Sequence, residues 1–168
     1  MVFDIDGTLA NADHRLHHVK PAEGNKKNWG AFFAEAEKDE PYTHVANLTH
    51  MYRAAGYFVL LCTGRPANLR QATISWLDKH DIQWDTLLMR LTSERGPDYE
   101  VKKNTLIEFM KQRGYNLNQI EAVYEDKLTV AESFRKLGLP VFLCGDNWRK
   151  NESSDSSSNS SISSSTAG

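Results

Sequence analysis

The first eight residues, Met1-Val2-Phe3-Asp4-Ile5-Asp6-Gly7-Thr8, constrain this chain more than any other segment. A short β-branched and aromatic run ends in two carboxylates one residue apart. Alternation along an extended backbone turns Asp4 and Asp6 to one side and Ile5 to the other. Two carboxylates that close repel each other unless a cation or a shared proton offsets them. Magnesium suits the pair, because it favours carboxylate oxygens and needs few protein ligands. Gly7 allows a sharp turn directly after them. The strand has only about three residues before Asp4, below the usual five or six. Either leading residues are missing or the strand is short.

The rest of the chain alternates apolar runs with helical patterns. The spacing predicts strands at Val2–Asp4, Tyr57–Cys62, Leu87–Met89, Ile120–Tyr124 and Pro140–Cys144. Helices are expected at Asn28–Lys38, from Pro41 to about Ala55, and at Ala67–His80, Tyr99–Arg113 and Leu128–Leu137. Residues 11–25 read as loop. This order argues for an α/β fold with a parallel sheet and helices on both faces. Sites in such folds lie beyond the carboxyl ends of the strands. Polar residues follow each strand there: Asp4 and Asp6, Thr63-Gly64-Arg65, Glu125-Asp126, and Asp146.

Size and charge narrow the possibilities. With 168 residues the chain has room for one domain, expected at 1–150. Residues 151–168 are mostly serine and read as a disordered tail. The formal charge is −2, and Glu152 and Asp155 account for it, so 1–150 sums to zero. A globally basic nucleic-acid binder is excluded, although a local basic patch is not. Cys62 and Cys144 lie in apolar runs and match no zinc spacing, so buried reduced thiols in a cytoplasmic setting are expected. No apolar stretch spans a bilayer, and no signal peptide is visible.

Taken singly, the candidate residues have ordinary readings. Thr63 caps a turn before Pro66, Lys102 is a solvated helix lysine, and Asp126 is an N-cap for the helix near Leu128. Their joint order, each at a strand or helix end, is the informative observation. This order resembles the haloacid dehalogenase (HAD) phosphohydrolase superfamily, with Asp-Ile-Asp-Gly-Thr as its specific part. Within it, the segments FDIDGTLA, HRLH, GYFVLLCTGR, VKKNTLIEF and VFLCGDNW are similar to the phosphatase domain of phage polynucleotide kinase/3′-phosphatase.

The resemblance implies a three-layer Rossmann-like fold with a small insert, about 11–40, in place of a full cap. It implies a Mg²⁺-dependent phosphomonoesterase working through an aspartyl-phosphate. Asp4 would be the nucleophile. Asp6 would be the general acid–base and would offer its backbone carbonyl to the metal. Thr63 would bind a phosphoryl oxygen, and Lys102 would neutralise the charge of nucleophile and phosphate. Asp126 would bind the metal with Asp4, supported by Glu125, where relatives usually carry aspartate.

The substrate indicated is a 3′-phosphate end of DNA or RNA. The alternatives are a 5′- or 3′-nucleotide monophosphatase and a non-catalytic module that binds nucleic-acid ends. Gly64, Arg65, Arg15, Lys26 and Lys27 are the expected substrate contacts, with Arg90 and Arg95 as weaker ones. Trp29 beside the lysines suits base stacking or the core. His14 and His18, four apart, would bind a metal on a helix, but the sequence offers no third ligand. No protein partner is evident, and no kinase phosphate loop is present.

Overall fold

The computed structural model describes residues 1–20 and 26–145. Asp146 and the serine-rich segment lie outside the described residues. In chain order the elements are β1 (Val2–Phe3), β2 (Ala10–Asn11), α1 (Trp29–Ala34), β3 (Glu40–Pro41), α2 (Thr43–Ala54), β4 (Leu60–Pro66), α3 (Arg70–Lys79), β5 (Thr86–Arg90), α4 (Asp98–Gln112), β6 (Val123–Glu125), α5 (Leu128–Arg135) and β7 (Val141–Leu143).

Five of these strands form a parallel sheet in the order β5-β4-β1-β6-β7. The chain runs outward from β1 to β4 and β5, then returns to the other side of β1 for β6 and β7. The switch point therefore falls at β1, where open α/β sheets place their ligand crevice.

Period-two alternation divides the core between the two faces. Phe3, Val59, Leu61, Leu87 and Tyr124 pack with Val45 and Ala46 of α2 and with Trp76 and Leu77 of α3. Val2, Leu60, Cys62 and Val123 point the other way, to Leu106 and Met110 of α4 and Val130 and Phe134 of α5. The three layers are helices, sheet, helices. Ile5 is fully buried in the same core as Phe3 and Leu9.

Several boundaries differ from the sequence reading. Pro41 does not open a helix. It pairs with Ala10 in an antiparallel ribbon of β2 and β3, and α2 starts at Thr43. Proline tolerates a short strand at a sheet edge, where its missing N–H is not needed. Residues 11–20 are not plain loop, since Asp13–His18 form a 3-10 turn. Residues 21–25 of that expected loop lie outside the described residues. Tyr57 and Phe58 stay half exposed, and β4 begins only at Leu60 but runs through Thr63 to Pro66. Cys62 is buried as expected, but Cys144 is only half-buried, next to the edge strand β7. The β2/β3 ribbon brackets residues 12–39, which carry a small core of their own around Ala12, Val19 and Phe32.

Candidate active site

Backbone pairing sets the position of every acid. Val2 and Phe3 are in register with Leu60 and Leu61 on one side and Val123 and Tyr124 on the other. Asp4, Thr63 and Glu125 therefore emerge near one level at the carboxyl edge. The chain then folds back at once: Ile5 O accepts from the N–H groups of Leu9 and Ala10 at 2.9 and 2.8 Å. Gly7 sits in this turn with φ at 91°, and the Asp126 carboxylate occupies the space a Cβ would need. Both demands require glycine.

Two electrostatic groups result. In the first, Lys102 Nζ lies 2.8 Å from Asp4 Oδ1 and 2.9 Å from Glu125 Oε2. All three side chains are buried. Oxygens of Asp4, Glu125 and Asp126 lie within 4.8 Å of one another. Burial first, and then the Glu125 charge, push Asp4 up to about 8 against the pull of Lys102. Burial and the neighbouring acids likewise raise Glu125 and Asp126 to about 7. Burial disfavours the Lys102 cation, but Asp4 and Glu125 reverse this and hold it well above the ordinary lysine range.

In the second group Asp6 is gripped by two arginines. Arg65 donates to it through Nε at 3.0 Å and Nη2 at 2.6 Å, and Arg15 through Nη2 at 2.5 Å. Both arginines also donate to Asp39, Arg15 from Nε at 2.7 Å and Nη2 at 2.5 Å, Arg65 from Nη2 at 3.3 Å. Arg15, Arg65 and Asp39 are buried. Trp76 Nε1 donates to the Asp39 carbonyl at 2.8 Å, and Arg15 lies over the Phe32 ring at 4.0 Å. Burial pushes Asp6 up, but the Arg65 and Arg15 charges prevail and bring it down to about 2. A register shift interrupts the β4–β5 pairing between Thr63 and Pro66, and from this irregularity the Arg65 side chain reaches Asp6.

The structure thus brings together Asp4, Asp6, Lys102, Glu125 and Asp126, and joins Arg15 and Arg65 to them through Asp6. Thr63 is buried and its Oγ1 accepts from Arg65 N at 3.2 Å. Gly64 packs so close to Asp98 that a Cβ would meet Oδ1 at 2.6 Å. Asp98 pairs with Arg90 and Lys127, each at 3.2 Å. Arg95 caps backbone carbonyls of its own loop. Lys26 and Lys27 are exposed. Trp29 is 49% exposed, which places it outside the core.

Sequence reasoning missed Asp39 and Asp98. Asp98 carried a faint signal, since an acid in the first turn of a helix, four residues before a lysine, is a favourable pair. Asp39 carried none.

Comparison with known proteins identifies the fold. The fold is shared with a putative phosphatase from Clostridium difficile at 11% identity and a TM-score of 0.63, covering 90% of this chain and 89% of that one. It is also shared with a class C acid phosphatase from Bacillus anthracis with tungstate bound, at 17% identity and a TM-score of 0.60, covering 88% and 66%. A chain of the Pnkp1/Rnl/Hen1 complex is 29% identical with a TM-score of 0.67, over 86% of this chain and 44% of that chain. This chain therefore spans less than half the length of that relative. No significant match is found among curated proteins.

The fold and the acid–lysine cluster at its carboxyl edge define a phosphatase of the haloacid dehalogenase type. Residues 1–147 match the family described as the polynucleotide kinase PNKP phosphatase domain, and the chain belongs to that family. No described helix is long and apolar enough to cross a membrane.

Proposed function

We propose that the chain removes a 3′-phosphate from DNA or RNA ends, with Mg²⁺ as cofactor and Asp4 as nucleophile. The carrying observation is the convergence of Asp4, Glu125 and Asp126 around Lys102. With all three ionised, the carboxylates against one ammonium would leave an excess of two negative charges in a buried site, and their raised pKa values express that excess. A divalent cation with oxygen ligands fits that excess in charge and in donor type. Asp4, Asp126 and the Asp6 carbonyl would hold it, with Glu125 in support. When bound, it would neutralise and orient the phosphoryl group against Asp4.

The remaining steps belong to the chain's own residues. The Asp4 carboxylate attacks phosphorus and the ester oxygen leaves. Lys102 and the Thr63 hydroxyl stabilise charge on the phosphoryl oxygens. Asp6 gives a proton to the leaving oxygen and then takes one from the water that cleaves the aspartyl-phosphate. Asp6 is an anion while both arginines hold it, so it has no proton to give. An arriving phosphate competes for Arg65 and Arg15; their shift to phosphoryl oxygens removes the charges that keep Asp6 ionised, and Asp6 takes up a proton from solvent before the ester bond breaks. This gives the two arginines, with the Gly64 backbone, their place in substrate binding.

A polynucleotide end is favoured over a free nucleotide by two observations, while the small insert between β2 and β3 admits both kinds of substrate. The relatives with 29% identity belong to the Pnkp1/Rnl/Hen1 RNA repair complex. Exposed Lys26 and Lys27 stand beside half-exposed Trp29, a combination that suits backbone contacts and base stacking. The free thiols of Cys62 and Cys144 agree with a cytoplasmic setting. The test is phosphate release from a 3′-phosphorylated oligonucleotide, a 5′-phosphorylated one and free mononucleotides, with and without Mg²⁺. Preference for the first supports the proposal. Preference for mononucleotides replaces it with a nucleotidase, and no release from any substrate leaves a binding module.

A further inference from the structure

The Asp39 carboxylate is the hub of the arginine cluster, and its shell of donors is full. An ionised carboxylate offers about four lone-pair sites on its two oxygens. Oδ2 accepts from Arg15 Nη2 at 2.5 Å and from Arg65 Nη2 at 3.3 Å, and Oδ1 accepts from Arg15 Nε at 2.7 Å. His14 Nε2 stands 2.9 Å from Oδ1 and takes the fourth site. The carboxylate only accepts, so this nitrogen carries the hydrogen. The contact commits His14 to Asp39, and not to the metal pairing with His18 that their spacing suggests.

His14 differs from the other partners of that carboxylate. Arg15, Arg65 and Asp39 are buried, whereas the His14 side chain is 39% exposed. The 3-10 turn Asp13–His18 delivers His14 and Arg15 to the same acid, and His17 Nδ1 lies 3.0 Å from the His14 carbonyl. The second His14 nitrogen faces Glu35 Oε2 at 3.8 Å, and His18 Nε2 faces the same oxygen at 3.5 Å. The charged groups around the ring are thus Asp39, Arg15 behind it, and Glu35 with His18. Arg15 and Arg65 already balance Asp6 and Asp39, so any charge on His14 is additional to a balanced cluster.

We propose, on the reading of Arg15 and Arg65 as phosphate ligands, that His14 is a positioning residue acting on them through Asp39. With its fourth site filled, Asp39 is held in one orientation and claims the guanidinium groups less strongly. They stay aimed into the site and free to pass from Asp6 to an arriving anion. Without His14, one Asp39 oxygen lacks a donor, so the carboxylate is less fixed and draws harder on the arginines. Both changes weaken anion binding, and neither touches the reacting atoms. A protonated ring would also add a positive charge beside Asp39 that favours the anion.

The test is sulfate binding to the full chain by calorimetric titration in saturating Mg²⁺, beside kcat and KM on nitrophenyl phosphate. His14→Ala should weaken sulfate binding by about tenfold and raise KM to match, with kcat changed by less than about twofold. His14→Gln keeps an amide N–H for Asp39 and should restore both at pH 8. Sulfate keeps its charge between pH 6 and 8, the range in which histidines change theirs. Wild-type affinity should therefore fall across that range more steeply than that of His14→Gln. Arg65→Lys tests the underlying reading. Sulfate affinity lost in Arg65→Lys but kept in His14→Ala overturns the role of His14 alone, and affinity kept in both overturns the arginine reading with it. A loss of kcat at unchanged KM in His14→Ala, or a His14→Gln variant as weak as His14→Ala, also overturns the proposal. Circular dichroism checks each fold. If His14→Ala misfolds, the pH comparison decides, and equal slopes for wild type and His14→Gln overturn it.

Discussion

Asp4 and Asp6 are two residues apart and sit in opposite electrostatic surroundings. Asp4 shares Lys102 with Glu125 and lies beside Asp126, and its carboxyl is raised to about 8. Asp6 shares two guanidinium groups with Asp39 and is lowered to about 2. One cluster is two positive charges short, while the other is balanced. The first has unbalanced charge and oxygen donors that a cation or bound protons would offset. The second is complete, and only a competing anion can draw its arginines away. Burial is common to both, so the sign of the shift follows from partner count and not from depth.

The largest effect that tests this contrast is at Asp4. Asp4→Asn should abolish phosphate release, because an amide neither attacks phosphorus nor serves a cation as a carboxylate does. Activity retained in a continuous phosphate assay would locate the nucleophile elsewhere. Asp6→Asn comes next. It should slow turnover by about 10²–10⁴-fold on an alkyl phosphate, as loss of a general acid–base does. On nitrophenyl phosphate, whose leaving group needs no proton, the loss should shrink. Equal losses on both substrates would remove the acid role from Asp6.

Asp39 tests the balanced cluster. Asp39→Ala leaves two buried guanidinium groups sharing one carboxylate. It should cost about 3–5 kcal/mol of stability in urea unfolding, the usual penalty for breaking a buried pair. Lys127→Ala removes a half-exposed partner of Asp98 and should cost no more than about 1 kcal/mol. Similar values for the two would show that the arginine cluster is solvated in solution.

Stability against pH separates the clusters by sign. Asp4, Glu125 and Asp126 are raised to about 8, 7 and 7 in the folded chain. Between the ordinary carboxylate range near 4 and those values, the folded chain holds protons that the unfolded chain has released. Their contribution is full below about pH 4 and lost as pH rises through 7 to 8. Asp6 is lowered, so its contribution is present above about pH 4 and lost as pH falls toward 2. In EDTA the urea midpoint should therefore fall between pH 5.5 and 8. Mg²⁺ should restore it at pH 8 and change it little at pH 5.5. A midpoint independent of both would contradict the charge excess at Asp4.

The smallest effect concerns the rim. Lys26→Ala with Lys27→Ala should raise KM for a 3′-phosphorylated oligonucleotide more than for nitrophenyl phosphate. It should also flatten the salt dependence by less than one logarithmic unit per contact. Equal responses of both substrates would make the insert a structural element only.

Much of the first cluster was legible in the sequence, for a physical reason. In a parallel sheet the polar residue directly after an apolar run falls at the carboxyl edge. Asp4, Thr63 and Glu125-Asp126 could therefore be placed from their runs alone. Lys102 could be placed only through the resemblance, since alone it reads as a solvated helix lysine, and α4 opens four residues earlier at Asp98. The second cluster was legible only in part. Arg15 and Arg65 stood out as basic residues near the motif. Their mutual partner Asp39 lies 24 residues from Arg15 and 26 from Arg65, in a segment with no period. The β2/β3 ribbon that delivers it has two residues per strand, too few for alternation to show. The same ribbon explains why Pro41 was misplaced as a helix start.

The strand that presents Asp4 has only two residues, and both are paired on each side. Its neighbours arrive about sixty and about a hundred and twenty residues later along the chain, separations typical of slow, non-local closure. Asp4 is synthesised long before the strands that complete its surroundings. Asp4 lacks Glu125 and Asp126 until β6 has emerged and docked. A nascent or proteolytically shortened chain that ends before β6 therefore carries the whole leading motif and no working centre. On the proposed mechanism, phosphate release would report that β6 has docked beside β1.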